Sequence, residues 1–164
     1  PLGDLRKQAY YMPVNNILTF KGSYSGGSSF FAGIASNEIY LIRAEAQAKL
    51  GNTAEAIADV NLLRQRAGLS GAALRTTSNL QTAGMTVLDA VMQERYLELA
   101  FEGHRAYDLF RNNMPMERNY PGTHSLNNTP TTNITQKVLP TDPRVVFYVP
   151  QAEINRNINL KQNP

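Results

Sequence analysis

The chain has 164 residues, which is enough for about one domain with a single hydrophobic core. Its 16 Lys and Arg residues against 13 Asp and Glu residues leave a net charge of +3, with no basic block that would favour nucleic-acid binding. Because the chain contains no cysteine, disulfides, cysteine-ligated metals and a thiol nucleophile are excluded within these 164 residues. No run of residues approaches the roughly 20 apolar positions of a membrane-spanning helix.

Residues 1–36 predict an extended or loop segment. Two short apolar patches, Tyr10–Val14 and Ile17–Phe20, precede the Gly- and Ser-rich stretch Gly22–Ser29, whose composition favours a flexible loop.

Residues 37–68 predict a helical hairpin. In the first helix an apolar stripe with helical spacing is formed by Ile39, Ile42, Ala46 and Leu50. Gly51 ends this helix and Thr53 is expected to cap the second. The stripe of the second helix, which ends at Gly68, is formed by Ala56, Val60, Leu63 and Ala67.

The hairpin resembles one tetratricopeptide unit. The positions where that repeat alternates large, small and turn residues are occupied by Tyr40, Ala44, Gly51, Ala56 and Val60. A protein-binding repeat module is therefore an alternative function, although residues 74–107 supply no second copy.

Residues 86–111 predict a third and a fourth helix, after a connection over 69–85 that is mainly loop. Thr86 and Asp89 have the spacing of a capping box. The apolar stripe of the third helix is formed by Leu88, Met92, Tyr96 and Leu99. Gly103 separates it from the fourth helix, which covers His104–Arg111.

Residues 112–136 hold six Asn, five Thr and three Pro, a composition that predicts a long loop. A C-terminal segment, 137–164, follows, with a short strand or extended segment expected at Val145–Val149. The whole chain, 1–164, is therefore predicted to be a single, mainly α domain: a tetratricopeptide-like hairpin plus further helices, long irregular loops and at most short strands.

Three carboxylates, Glu94, Glu98 and Glu102, lie at i, i+4 and i+8 on one stripe of the third helix. Because like charges at this spacing repel, cations must neutralise them, and Arg64 and Arg66 on the second helix are candidates. We predict a structural ion network formed by Glu94, Arg95, Glu98, Glu102, Arg105, Asp108 and Arg111.

A hydrolase that uses Glu94 and Glu98 is the catalytic alternative. Glycosidase carboxylates flank the two faces of a sugar, whereas neighbours on one helix point the same way, so the spacing does not favour this alternative. His104 has no second histidine at metal-binding spacing, because His124 lies twenty residues away. No metal and no cofactor are expected.

Several tyrosines lie in loop-like sequence beside amide and hydroxyl side chains. Aromatic rings can stack on the C–H faces of sugars while amides bind the hydroxyl groups. The candidate ligand-binding residues are Tyr10, Tyr11, Tyr24 and Tyr120.

Three segments in order, Ala44–Leu69, Glu94–Leu109 and Val149–Pro164, resemble the C-terminal portion of the SusD/RagB family. The resemblance implies a non-catalytic glycan-binding lipoprotein at the surface of the outer membrane. Its partner would be a TonB-dependent transporter of the SusC type, as in the starch utilisation system. It also implies that a lipid anchor lies outside this chain. The family's glycan contacts vary, so no single contact residue is transferred.

Overall fold

The structure is a computed structural model that describes residues 3–15, 17–22, 27, 29, 31, 33–120 and 134–163. These residues contain seven α-helices and two pairs of β-strands. The helices are α1 (Arg6–Tyr10), α2 (Ser36–Lys49), α3 (Thr53–Arg66), α4 (Thr77–Thr82), α5 (Val87–Glu98), α6 (His104–Arg111) and α7 (Gln151–Arg156). The antiparallel strand pairs are β1 (Tyr11–Val14) with β2 (Ile17–Phe20), and β3 (Met116–Tyr120) with β4 (Ile134–Val138). The prediction of a mainly α fold with short strands is confirmed.

The chain divides into two compact units, Pro1–Arg105 and Ala106–Pro164. The boundary falls inside α6, two residues after its start. A single domain over 1–164 remains a prediction.

The core of the first unit lies between α2, α3 and α5, which all pack against one another. Two buried groups form it, Leu41 with Leu63 and Leu99, and Ala44 with Val60 and Val91. Each group takes one residue from α2, one from α3 and one from α5 or its C-cap. The small side chain of Ala44 allows the close helix approach that the tetratricopeptide resemblance predicts.

The predicted stripe of α3 is confirmed, because Ala56, Val60, Leu63 and Ala67 are all buried. The predicted stripe of α2 is wrong. Ile39 and Leu50 are 53% and 75% exposed, and Ile42 is also exposed. The buried side of α2 instead carries Asn37, Leu41, Ala44 and Glu45. Two of these residues are polar, so the apolar pattern alone assigned the buried side to the wrong face of α2.

Helix starts agree with the sequence at α5 and differ at α3. Thr86 and Asp89 form the predicted capping box, with each side chain bonded to the backbone N–H of the other residue. Thr53 is not a cap: it is the first residue of α3, and the N-cap residue Asn52 makes no side-chain capping bond. Within 69–85, predicted to be mainly loop, α4 forms behind a second capping box of Thr76 and Asn79.

Residues 1–36 were predicted to be extended or loop, but the described part of this segment contains regular structure. It contains α1 and the β1–β2 hairpin, and it is attached to the end of α3. The Leu5 N–H donates to the Ala67 carbonyl over 3.0 Å. Gly68 has φ +83°, and a Cβ atom there would lie 3.0 Å from the Leu5 side chain. Glycine therefore provides both the left-handed turn and the space for Leu5.

The second unit departs from the sequence in two places. The predicted loop over 112–136 contains β3 and the start of β4, while residues 121–133 lie outside the described part. The segment Val145–Val149, predicted to be a short strand or extended, forms no strand: a 3₁₀ turn covers Pro143–Val145, and residues 147–150 have no regular structure. The Val149 N–H and carbonyl bond the Gln162 side-chain amide over 2.8 and 3.0 Å, in place of a neighbouring strand.

We expect Leu41→Ala to reduce the free energy of unfolding by about 2–5 kcal/mol, because Leu41 is fully buried between the three helices. The neighbouring Ile42→Ala is the matched control and should change it by about 0.5 kcal/mol or less. Chemical denaturation monitored by circular dichroism measures both. Equal effects of the two substitutions would contradict this assignment of the buried face.

Candidate functional site

Glu94 and Glu98 lie one turn apart on the face of α5 that packs against α2 and α3, and each is 1% exposed. Carboxylates at this depth are stable as anions only when they are paired and hydrogen-bonded. Their surroundings therefore decide what this part of the molecule can do.

Glu94 is paired with two buried arginines. The Arg6 Nη1 atom of α1 lies 2.5 Å from Glu94 Oε1, and the Arg64 Nη1 atom of α3 lies 2.8 Å from Glu94 Oε2. Arg64 also donates to the Ala73 carbonyl through Nε and Nη2. Each carboxylate oxygen of Glu94 thus has a cationic partner.

Glu98 is held by three donors from different segments. Arg6 Nη1 lies 3.2 Å from Oε2, Asn37 Nδ2 donates to Oε1 over 3.0 Å, and the half-exposed Arg66 also pairs with Oε1. The Glu98 backbone carbonyl accepts a bond from the Tyr10 hydroxyl. These contacts connect α1, α2 and α3 to α5.

Arg6 is the cation shared by the whole arrangement. It contacts Glu94, Glu98 and Asp4, whose carboxylate oxygens accept from Arg6 Nη2 and Nε over 2.7 and 2.9 Å. The hydrogen bond from Arg6 lowers the pKa of Asp4 despite its burial. Burial opposes the charge of Arg6, but Asp4 and Glu94 outweigh it and raise its pKa.

These side chains form what we call the arginine–carboxylate cluster: Asp4, Arg6, Arg64, Arg66, Glu94 and Glu98. Three carboxylates face three guanidinium groups, so the formal charges balance. Because Glu94 and Glu98 accept bonds from buried cations, the arrangement favours a structural role over acid–base chemistry.

Sequence patterns did not indicate that Arg6 and Asn37 contact the acidic stripe, or that Asp4 pairs with Arg6. Arg6 is separated from Glu94 by 88 positions, and nothing in the periodicity of the chain relates the two. The only feature of the sequence that points to such partners is the acidic stripe itself, because buried carboxylates need nearby cations. Arg64 and Arg66, which the sequence placed within reach, do contact it.

The other predicted network residues occupy several environments. Arg95 is buried on α5. Arg105 donates to the Met92 carbonyl over 3.3 Å, and its guanidinium carbon lies 4.9 Å from the centre of the Tyr96 ring. Asp108 pairs with Arg111 over 2.7 Å, one turn along α6 in the second unit. The seven-residue network as a whole remains a prediction.

Glu102 lies outside the arginine–carboxylate cluster, in a second group of titratable side chains with Glu38 and His104. His104 Nε2 lies 3.8 Å from Glu38 Oε1 and 4.0 Å from Glu102 Oε2. Glu102 Oε1 is buried and accepts no hydrogen bond from the described residues. Burial, with a further contribution from the Glu38 charge, raises the pKa of Glu102.

The four candidate ligand-binding tyrosines lie in different environments or outside the described residues. Tyr10 is buried and bonded to the Glu98 carbonyl, which removes it from any surface. Tyr24 lies outside the described residues. Tyr120 is the last residue of β3, and its side chain also lies outside the described part. Tyr11 is half-buried at the start of β1.

Tyr11 belongs to an aromatic cluster with Phe20 and Phe101, two residues that were not among the predicted ligand-binding residues. Tyr11 and Phe20 are cross-strand partners with ring centroids 6.2 Å apart. Phe101, from the corner between α5 and α6, stacks on Phe20 at 4.3 Å and meets Tyr11 edge-on at 6.1 Å. The cluster joins the hairpin to the helical part of the first unit.

The described residues offer neither a metal-binding cluster nor a membrane-spanning helix. They contain no group of three or more histidine, cysteine or acidic side chains arranged to hold a metal ion. None of their helices combines the length and apolar character needed to cross a membrane.

The helical hairpin, the buried acidic stripe and the C-terminal segment lie in the part of the chain that a sequence model of the SusD family matches, residues 36–164. The chain belongs to the SusD family. Comparison with curated proteins finds no match.

Solved structures of SusD-type proteins share this fold. A protein from Bacteroides vulgatus, described as sugar-binding, is 31% identical with a TM-score of 0.62, and the match covers 80% of this chain and 28% of that one. A SusD superfamily protein from Bacteroides thetaiotaomicron is 29% identical with a TM-score of 0.60, covering 78% of this chain and 26% of that one. A second Bacteroides vulgatus member of the superfamily is 22% identical with a TM-score of 0.63, and the match covers 99% of this chain and 36% of that one. The chain thus spans about a quarter to a third of the length of these SusD-type proteins.

We expect Glu98→Ala to lower the free energy of unfolding by about 3–5 kcal/mol, because the buried Arg6 and Asn37 lose an acceptor. Thermal denaturation of the purified variant measures the change. Glu55→Ala, at an exposed position of α3, is the control and should have almost no effect. A melting temperature equal to that of wild type would contradict a structural role for Glu98.

Glu102→Gln should increase stability at neutral pH. The pKa of Glu102 in the folded chain is raised above its ordinary value of 4.5, so wild-type stability falls as the pH rises from about 4.5 through the raised value. The neutral amide lacks this loss. Melting temperatures between pH 4 and pH 8 should show a gap between variant and wild type that closes at the acidic end. A gap independent of pH would contradict the assignment.

Proposed function

We propose that the protein binds glycan at the outer surface of a Gram-negative cell, as the lipoprotein partner of a TonB-dependent transporter in nutrient uptake. Membership of the SusD family, through residues 36–164, carries the proposal. The 31% identical Bacteroides vulgatus structure, described as a sugar-binding protein, supports glycan as the ligand. Oligosaccharide or polysaccharide is the ligand class.

The proposed role is recognition without catalysis. Glu94 and Glu98, the pair with the spacing to suggest a hydrolase, are buried and engaged by Arg6, Arg64 and Arg66. A general acid needs a proton to give and access to the substrate, and ion-paired carboxylates inside a helix interface offer neither. This arrangement supports a binding protein.

The transporter and surface parts of the proposal come from the family. SusD proteins in general pair with SusC-like transporters and are carried as lipoproteins on the outer membrane. A lipid anchor of the kind that SusD proteins carry would give the attachment, with this chain contributing helical scaffold and aromatic surface.

Calorimetric titration of the purified protein against a panel of neutral and acidic polysaccharides tests the proposal. We expect saturable binding to at least one glycan and no release of reducing sugar during incubation with it. A titration with unrelated helical peptides distinguishes the repeat-module alternative. Binding to peptides with no binding to any glycan would contradict the proposed function.

A further inference from the structure

Glu102 is a buried carboxylate with fewer partners than its depth requires. Its side chain is 4% exposed, and its Oε1 atom accepts no hydrogen bond from the described residues. Among those residues its only ion contact is with His104, whose Nε2 atom lies 4.0 Å from Oε2. Because an anion removed from water in this way is costly, the free energy of the site depends on whether a proton or a cation reaches it.

His104 lies between two carboxylates that come from different segments. Its Nε2 atom is 3.8 Å from Oε1 of Glu38, in the first turn of α2, while Glu102 lies in the corner between α5 and α6. Histidine is the residue type whose charge ordinarily changes between about pH 5 and pH 8. Protonation of this one ring therefore places a positive charge beside both carboxylates.

The charged residues that come next along the surrounding helices have partners elsewhere. On α2 the next one is Arg43, which pairs with α3. On α5, Glu98 is held by the arginine–carboxylate cluster. On α6, Arg105 donates to a backbone carbonyl of α5, and Asp108 forms an ion pair within its own helix. Among the described residues, His104 alone makes ion contacts with both Glu38 and Glu102.

We propose that Glu38, Glu102 and His104 form a pH-sensitive latch between the first turn of α2 and the corner before α6. When His104 is protonated, it attracts both carboxylates and holds the two segments together. When it is neutral, two like charges remain and the contact loosens. The three side chains are not arranged to hold a metal ion, so a proton is the cation that the latch takes up. This response to acidity is independent of the proposed glycan binding.

The two proton-binding groups act in the same direction. Burial, together with the Glu38 charge, raises the pKa of Glu102, so its contribution to stability is present at acidic pH and is lost as the pH rises through the raised value. A proton on His104 has the same sign, because it is attracted to two carboxylates that are far apart in the unfolded chain. Since the three charges interact, they titrate together. The latch is therefore closed on the acidic side.

Helix ends determine which group keeps its charge. Glu38 lies in the first turn of the 14-residue helix α2, where the helix dipole stabilises a negative charge. His104 is the first residue of α6, where the dipole disfavours a positive charge. The proton on His104 is therefore held by the two carboxylates, and removal of either one should weaken the latch.

Amide hydrogen exchange of the full chain at about pH 5.5 and about pH 7.5, on either side of the ordinary histidine range, tests the latch. Protection factors are corrected for the intrinsic exchange rates. We expect the amides of residues 36–40 and 101–105 to be at least roughly threefold better protected at the lower pH. A wild-type protein with equal protection at both pH values would overturn the proposal.

Two substitutions of His104 separate charge from packing. His104→Gln cannot be protonated and should show the weaker protection at both pH values. His104→Lys carries a permanent positive charge and should show the stronger protection at both. His124, the other histidine of the chain, is retained in both variants. A pH response that persists in folded His104→Gln would therefore assign the effect to another group and overturn the latch.

Glu38→Gln is the second test, because it removes one carboxylate and leaves the histidine in place. The protection gained on acidification should fall to about half of the wild-type gain. Glu55→Gln, at an exposed position of α3, is the matched control and should keep the full response. Equal responses in the two variants would contradict the assignment of Glu38 to the latch.

Discussion

The first unit depends on the neutralisation of two carboxylates that have been taken out of water. Glu94 and Glu98 are among the most deeply buried side chains of the described residues, and such charges destabilise a fold unless cations reach them. The cations come from α1 and α3, and a further amide comes from α2. Correct pairing therefore requires the N-terminal segment and three helices to meet in one register.

Hydrophobic contact would bring the same helices together with less precision. The two core groups contain small and medium side chains, and a shift of one turn could still bury apolar surface. The shared guanidinium of Arg6 permits no such shift, because it contacts carboxylates at both Glu94 and Glu98. Packing supplies much of the stability, and the ion pairs restrict the geometry.

The sequence predicted those features that depend on neighbours along the chain. The α3 stripe, the glycine after each helix of the hairpin and the capping box at Thr86 all follow from local spacing. The buried side of α2 did not, because its members Asn37 and Glu45 are polar and give no apolar signal. Asn37 bonds Glu98, 61 positions away, and only Glu45 has its partner nearby, Lys49 at i+4. The same limit applies to the surface: Tyr11 was selected from its surroundings in sequence, whereas Phe20 and Phe101 become its neighbours only through the hairpin register and a left-handed turn.

Gly68 links local backbone geometry to distant electrostatics. The space it leaves is filled by Leu5, which is followed directly by Arg6. A larger residue at position 68 would push this segment away and so withdraw a guanidinium from α5, although it lies on neither α1 nor α5. Tolerance to substitution at this turn therefore depends on ion pairing elsewhere as well as on the left-handed backbone. A side chain added at the end of α3 would leave an unbalanced charge on α5.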